Sequence, residues 1–199
     1  MTTCGKIASG IVHNCPDTLV SGLQDEAILI NAADIDYDNC VFDGTNKMIL
    51  TDIVLKTASP VLTGFKIEGY NFSNEHDTAL VKRRFIDGWE HNFLFRIFDN
   101  TPEIKEWVKN AVGSRFIVIT KNKYNNRNAI LPGTTVFEVL GFWNGLEILE
   151  ATRNASDEET QGGWVLKAGC DESNKEPYPP YAFFKTSLAV SQAAFDAFA

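Results

Sequence analysis

The chain has 199 residues, of which 44% are hydrophobic, enough apolar material for one proper core and a length that favours a single domain. Lys and Arg total 18 against 26 Asp and Glu, a net charge of −8, which excludes a basic duplex-gripping face as the organising feature. No run approaches the roughly 20 apolar residues of a membrane helix. The apolar patch Ile7–Val12 is too short and too interrupted for an export signal, so the expectation is a chain made in a cytoplasm, without a membrane partner.

Residues 1–26 show no sustained period and carry Gly5, Gly10, Cys15–Pro16 and Gly22, which reads as an N-terminal arm or irregular lead-in. A single domain is expected over 27–199, opening with a core strand at Ala27–Asn31. Asp34, Asp36 and Asp38 then alternate as on a solvated strand edge, with Ile35 and Tyr37 facing inward. Strands are predicted at Met48–Thr57, Val61–Tyr70, Ala79–Ile86 and Phe93–Asp99, separated by turn chemistry at Ser59–Pro60, Ser73–Asn74 and Asp87–Gly88.

A helix follows over residues 102–112. Thr101 suits the N-cap, Pro102 the first helical position, Glu103 the positive end of the dipole, and Gly113 the stop. Ile104, Trp107, Val108 and Ala111 fall on one face at helical spacing, so this face is expected to pack on a sheet. Further strands are predicted at Arg115–Thr120, Thr134–Phe142, Leu146–Thr152, Gly163–Ala168 and Tyr181–Lys185, and a second helix near the C-terminus from Ser187. The fold class expected is therefore mainly β, a β-sandwich or barrel with one flanking helix and a C-terminal helix.

The candidate chemical sites are weak. Asp34, Asp36 and Asp38 open like a calcium loop, but Asn39 stands where the sharp turn needs Gly and Thr45 where the bidentate Glu belongs. His13, His76 and His91 have no zinc spacing, and His91 reads as a residue at a strand boundary. Cys4, Cys15, Cys40 and Cys170 form no C-x-x-C pair and read as free thiols. The run Asp157, Glu158 and Glu159 lies in a polar loop, where a solvated turn is the default, and Glu147 and Glu150 are a pair whose separation spacing cannot fix. Lys82-Arg83-Arg84 reads as a charged sheet surface. No catalytic residue, metal or cofactor is expected, and the chain reads as a non-enzyme.

The order of features resembles the tail-tube, or major tail, proteins of long-tailed bacteriophages. The residues that carry the likeness are Ile28–Asn31 running into Ala33-Asp-Ile-Asp36, the strand Lys47–Lys56, and the helix before Arg115–Thr120. The C-terminal block adds Val136-Phe-Glu-Val-Leu-Gly-Phe142, Gly145-Leu-Glu-Ile148, Thr152-Arg153, Asp157, Gly162-Gly163-Trp164 and Phe183-Phe-Lys-Thr186. The resemblance implies a virion structural protein, made in a bacterial host, that forms a homo-oligomeric hexameric ring. Rings would stack into a tube that meets other tail proteins and passes DNA without binding it specifically.

On that reading Asp34, Asp36, Asp38, Glu147 and Glu150 are candidate acidic lumen or edge residues. Asn74, Glu75, Asp157, Glu158 and Glu159 are candidates for contacts between rings. The rival readings are a secretion-system tube subunit, a carbohydrate- or other ligand-binding β-sandwich module, and an enzyme of jelly-roll type.

Overall fold

The structure, a computed structural model, describes residues 23–69, 73–82, 87–123, 134 and 136–199. It is mainly β, with two sheets, a flanking helix and a C-terminal helix, in agreement with the fold class expected from sequence. Strands run in chain order β1 Leu23–Asn31, β2 Val41–Phe42, β3 Ile49–Asp52, β4 Phe65–Glu68, β5 Glu75–Val81 and β6 Gly88–Ile97. After helix α1 (Pro102–Val112) come β7 Phe116–Asn122, β8 Phe137–Leu140, β9 Glu147–Arg153, β10 Trp164–Gly169 and β11 Tyr181–Phe183, then α2 (Leu188–Asp196).

One sheet has the order β2-β3-β11-β8-β7-β1-β4, the other β5-β6-β10-β9. Every pairing among the described residues is antiparallel except that of β11 with β3. The two sheets face each other across a core in which Ala27, Leu29, Val118 and Leu140 meet Phe93, Phe95, Leu166 and Ala168. The ring centroids of Phe93 and Phe95 lie 5.3 Å apart.

The larger sheet is covered on its other face as well. Ile28, Ile30, Leu50, Ile117, Ile119, Phe137 and Phe183 pack there against Ile35, Ile53 and Phe195 of α2. This explains the unbroken apolar runs of β1 and β7: a strand buried on both faces has no polar side to alternate with. In β6, which is covered on one face only, Phe93 and Phe95 are buried while Leu94 and Arg96 are partly exposed.

Helix α1 forms where its end signals lie. The Thr101 hydroxyl accepts from the Ile104 amide at 3.4 Å, and Pro102 occupies the first turn. Val108 and Ala111 are buried in the inter-sheet core, with Ile104 and Trp107 packed against it and Trp107 edge-on to Phe95 at 6.2 Å. Ser187 caps α2 in the same way, accepting from the Val190 amide at 3.3 Å.

Several boundaries differ from expectation. β1 begins at Leu23 rather than Ala27, and the rest of the lead-in expected over residues 1–26 lies outside the described residues. Residues 34–38 are not a strand: Ala32–Asp34 form a 3₁₀ turn and the segment bends on. Local side-chain bonds explain it, since the Asn31 amide donates to Asp34 at 3.1 Å and the Asn39 amide to Asp36 at 2.8 Å, each competing with a ladder. Ile35 is nonetheless fully buried. The strand expected over Met48–Thr57 is cut to Ile49–Asp52, and β5 starts at Glu75, ahead of the expected Ala79. Arg83 and Arg84, with Cys4, Cys15 and His13, lie outside the described residues.

Candidate functional site

The larger sheet is largely covered on both faces, so among the described residues exposed strand surface is found on the outer face of the four-stranded sheet, although Asn92 and Gly169 within it are buried. Its composition follows from register. Glu75 lies opposite Leu94, Leu94 opposite Lys167, and Lys167 opposite Glu150, giving one row across all four strands. The next row on the same face runs Asp77, Asn92, Gly169 and Glu147. The intervening row, His76, Phe93, Ala168 and Ile148, points to the core. Directly opposed residues share a face, so Glu75, Asp77, Glu147 and Glu150, together with Glu90 on β6, gather on one surface.

Carboxylates only slightly outnumber cations on this surface: Arg96 and Lys167 belong to the sheet, and Lys167 stands directly opposite Glu150. Arg96 pairs with Glu75 at 3.4 Å and also donates to the Ser73 carbonyl at 3.0 Å. Asn92 donates its side-chain amide to Asp77 at 3.1 Å. From beyond the sheet, Arg115 pairs with Glu147, and Lys175 reaches Glu90 at 3.3 Å. Glu150 and Lys167 are exposed.

The same sheet ends in two strands, β5 and β9, that each pair on one side only among the described residues. Each of these strands carries an exposed leucine, Leu80 on β5 at 47% and Leu149 on β9 at 48%, and helix α1 lies against β9. Leu149 sits at an irregularity in the β9–β10 register, where the ladder slips between Lys167 and Ala168. The larger sheet also ends on one-sided strands, β2 with exposed Val41 and β4 with exposed Phe65. Unpaired strand rims with apolar side chains are templates for pairing with another chain.

The remaining candidate residues sit elsewhere. Asp34, Asp36 and Asp38 belong to the segment that covers the far side of the larger sheet, and so do not share a surface with Glu147 and Glu150. Asn74 corrects an expectation: it is 3% exposed and lies at the root of β5, because the segment from Glu75 pairs fully with β6 instead of forming a protruding loop. Asp157, Glu158 and Glu159 do form a loop, but a tied one. The Asp157 carboxylate accepts from the Glu159 amide at 3.1 Å and the Thr160 hydroxyl at 2.8 Å, leaving Glu158 and Glu159 exposed.

No protein-family model, curated protein or solved structure matches this chain. Its function must be argued from these surfaces.

Two other features compete for that role. A groove of about 740 Å³ lies between β4 and the start of α1, lined by Phe65, Ile67, Ile97, Asp99, Ile104 and Trp107 among others. On the groove wall Lys66 bonds Glu68 at 2.7 Å and also reaches Glu26 at 3.0 Å, and these partners hold its ammonium above the usual lysine range.

The second feature is a buried polar network around the turn between β8 and β9. Glu176, 1% exposed, accepts from the amides of Trp143 at 3.1 Å and Asn144 at 2.7 Å. Burial pushes its carboxyl pKa up, and the amides push it partly back down. The Glu176 backbone is tied in turn to Trp89, at 2.7 and 2.9 Å. On the other side of the turn, His91 Nδ1 accepts from the Gly141 amide at 3.1 Å, and burial drives the imidazole pKa down to about 4.

Gly141 and Gly145 in this turn have φ of 68° and 74°, a region that favours glycine, and a β-carbon on Gly141 would stand 2.7 Å from the Leu146 side chain. The Glu176 carboxylate and the His91 ring both bond backbone amides of the turn, which is a structural role. Sequence reasoning missed Glu176, set in an aperiodic proline-rich stretch. It misread His91, although Trp89, His91, Phe93 and Phe95 alternate in the sequence and therefore share one face. Among the described residues no three His, Cys, Asp or Glu side chains converge as a metal site, and no helix is long and apolar enough to cross a membrane.

Proposed function

We propose that the protein is a self-assembling structural subunit of a virion, whose copies join sheet to sheet into rings that stack as a phage tail tube. The observation that carries this reading is the four-stranded sheet. It combines a charged outer face, acidic by a small margin, with two strands that each pair on one side only among the described residues and bear an exposed leucine. Joining β9 of one copy to β5 of the next would satisfy the outward backbone groups and bury Leu80 and Leu149. Such a contact is head-to-tail, so it closes into a ring when the rotation per copy divides a full turn. The outer face of the joined sheets then forms a continuous charged wall on a subunit of net charge −8. A wall of that sign repels a polyanion and lets it pass, where a basic one would hold it. A secretion-system tube subunit would rest on the same surfaces.

Light scattering behind gel filtration, with negative-stain imaging of the concentrated chain, tests the reading. Rings or tubes are expected, and Leu80→Arg and Leu149→Arg should each prevent them while leaving the circular dichroism of the subunit unchanged. Assembly that survives both substitutions would refute the use of these edges.

The groove beside Phe65 and Trp107 favours a second reading, a ligand-binding β-sandwich module, because a hollow that sets aromatic rings beside Lys66, Glu68 and Asp99 suits a sugar's apolar face and hydroxyls. Saturable glycan binding by a persistent monomer, lost in Trp107→Ala, would establish it in place of the first.

A further inference from the structure

We infer that like charges on the two free edges of the four-stranded sheet gate its joining between copies, so that contact is disfavoured at low ionic strength and in the unshifted register. This rests on the tube reading and concerns its regulation. The rows across the sheet fix the geometry. Glu75 on β5 and Glu150 on β9 lie at the two ends of one row, and Asp77 and Glu147 at the two ends of the next on the same face.

β5 and β9 run in opposite directions, since each step across β5-β6-β10-β9 is antiparallel. A copy added edge to edge in the same orientation therefore pairs its β9 antiparallel with β5. Without an offset, Glu150 of the new copy would stand opposite Glu75, and its Glu147 opposite Asp77. Like charges directly opposed across strands oppose pairing. Within the subunit Arg96 and Arg115 already engage Glu75 and Glu147, at the sheet's own ends of the rows, whereas Glu150 is exposed.

Two consequences follow. An offset of one row along the strands, of the kind a closed barrel needs, would leave one facing pair instead of two, Glu75 with Glu147 or Asp77 with Glu150, so it would be selected over the flat register while repulsion persists. Screening would also relieve the repulsion: the reach of exposed charges shrinks from about 30 Å at 0.01 M salt to about 8 Å at 0.15 M. The leucines favour contact at any salt concentration, and the carboxylates decide when it proceeds.

The test compares the full chain with Glu75→Lys and with Asp196→Lys, which makes the same change in net charge on α2, on the far side of the larger sheet. Critical concentration for assembly is read by light scattering at about 0.01 M and about 0.15 M NaCl. The unaltered chain and Asp196→Lys should each need roughly tenfold more protein at the lower salt, while Glu75→Lys, which replaces repulsion by attraction, should assemble there with little penalty. Assembly with no salt dependence, or equal behaviour of the two lysine variants, would overturn the inference and leave the tube reading standing. A chain that stays monomeric in every variant and at both salt concentrations would overturn both.

Discussion

Replacing Glu176 by alanine removes one carboxylate and, with it, the grip on the turn that links the two sheets. Glu176 is 1% exposed and accepts at 2.7 Å from Asn144 and at 3.1 Å from Trp143. Hydrogen bonds to a charged group are each worth about 1.5–3 kcal/mol net, so the two together set an upper limit of about 6 kcal/mol. Against this stands the cost of keeping a carboxylate in the interior, which is what raises its pKa and is relieved when the group is deleted. The expected net loss is about 3 kcal/mol, near the lower end of the range for breaking a buried charged contact.

For a chain of this length that corresponds to a fall in Tm of roughly 6–12 °C. Glu176→Gln keeps the shape and one accepting oxygen but turns an NH₂ towards the second amide, so it should lose about half as much. Urea unfolding followed by tryptophan fluorescence measures both, and hydrogen exchange at the Trp143 and Asn144 amides locates the effect. If alanine cost less than about 0.5 kcal/mol, with protection at those amides unchanged, the carboxylate would not be holding the turn.

Other outcomes follow from the same structure. His91 has its pKa lowered to about 4 from 6.5, so its contribution is fully present above pH 6.5 and is lost as pH falls through the folded value. The difference in stability between the unaltered chain and His91→Gln, which lacks the titration, should shrink by about 2–3 kcal/mol between pH 7 and pH 4; taking the difference cancels the opposite contribution of Glu176. Thr101→Ala removes the cap of α1 and should cost about 1 kcal/mol, while Thr101→Ser should be nearly neutral in the same thermal melt. Phe195→Ala empties a fully buried site where α2 meets Phe137 at 5.0 Å, and about 3–5 kcal/mol of lost stability in urea would show that the C-terminal helix is part of the core. Gly141→Ala should cost more than about 2 kcal/mol, because strain at positive φ adds to the clash with Leu146.

What was legible from the sequence was mostly local. The helix at 102–112 was, because its cap, its proline and its apolar spacing all lie within a dozen residues. The mainly β class was legible for a similar reason, since strand-length apolar segments and turn residues alternate along the chain. Residues 34–38 were misassigned because alternation looks the same whether it comes from a ladder or from side chains closing turns onto Asn31 and Asn39. β5 was placed late because Glu75, His76 and Asp77 have no strand propensity of their own and are held by pairing with β6.

For the candidate surface the division is sharper. By itself the sequence determined that the protein is acidic, that Glu147 and Glu150 lie close along the chain, and that Ile104, Trp107, Val108 and Ala111 share one side of a helix. Only the tertiary structure decided that Glu75 and Asp77, some 70 residues away in the chain, stand on the same face as Glu147 and Glu150, and that Asp34, Asp36 and Asp38 do not. Which acids become neighbours depends on strand order and register, and these are set by long-range pairing in which a shift of one residue exchanges the faces of a strand.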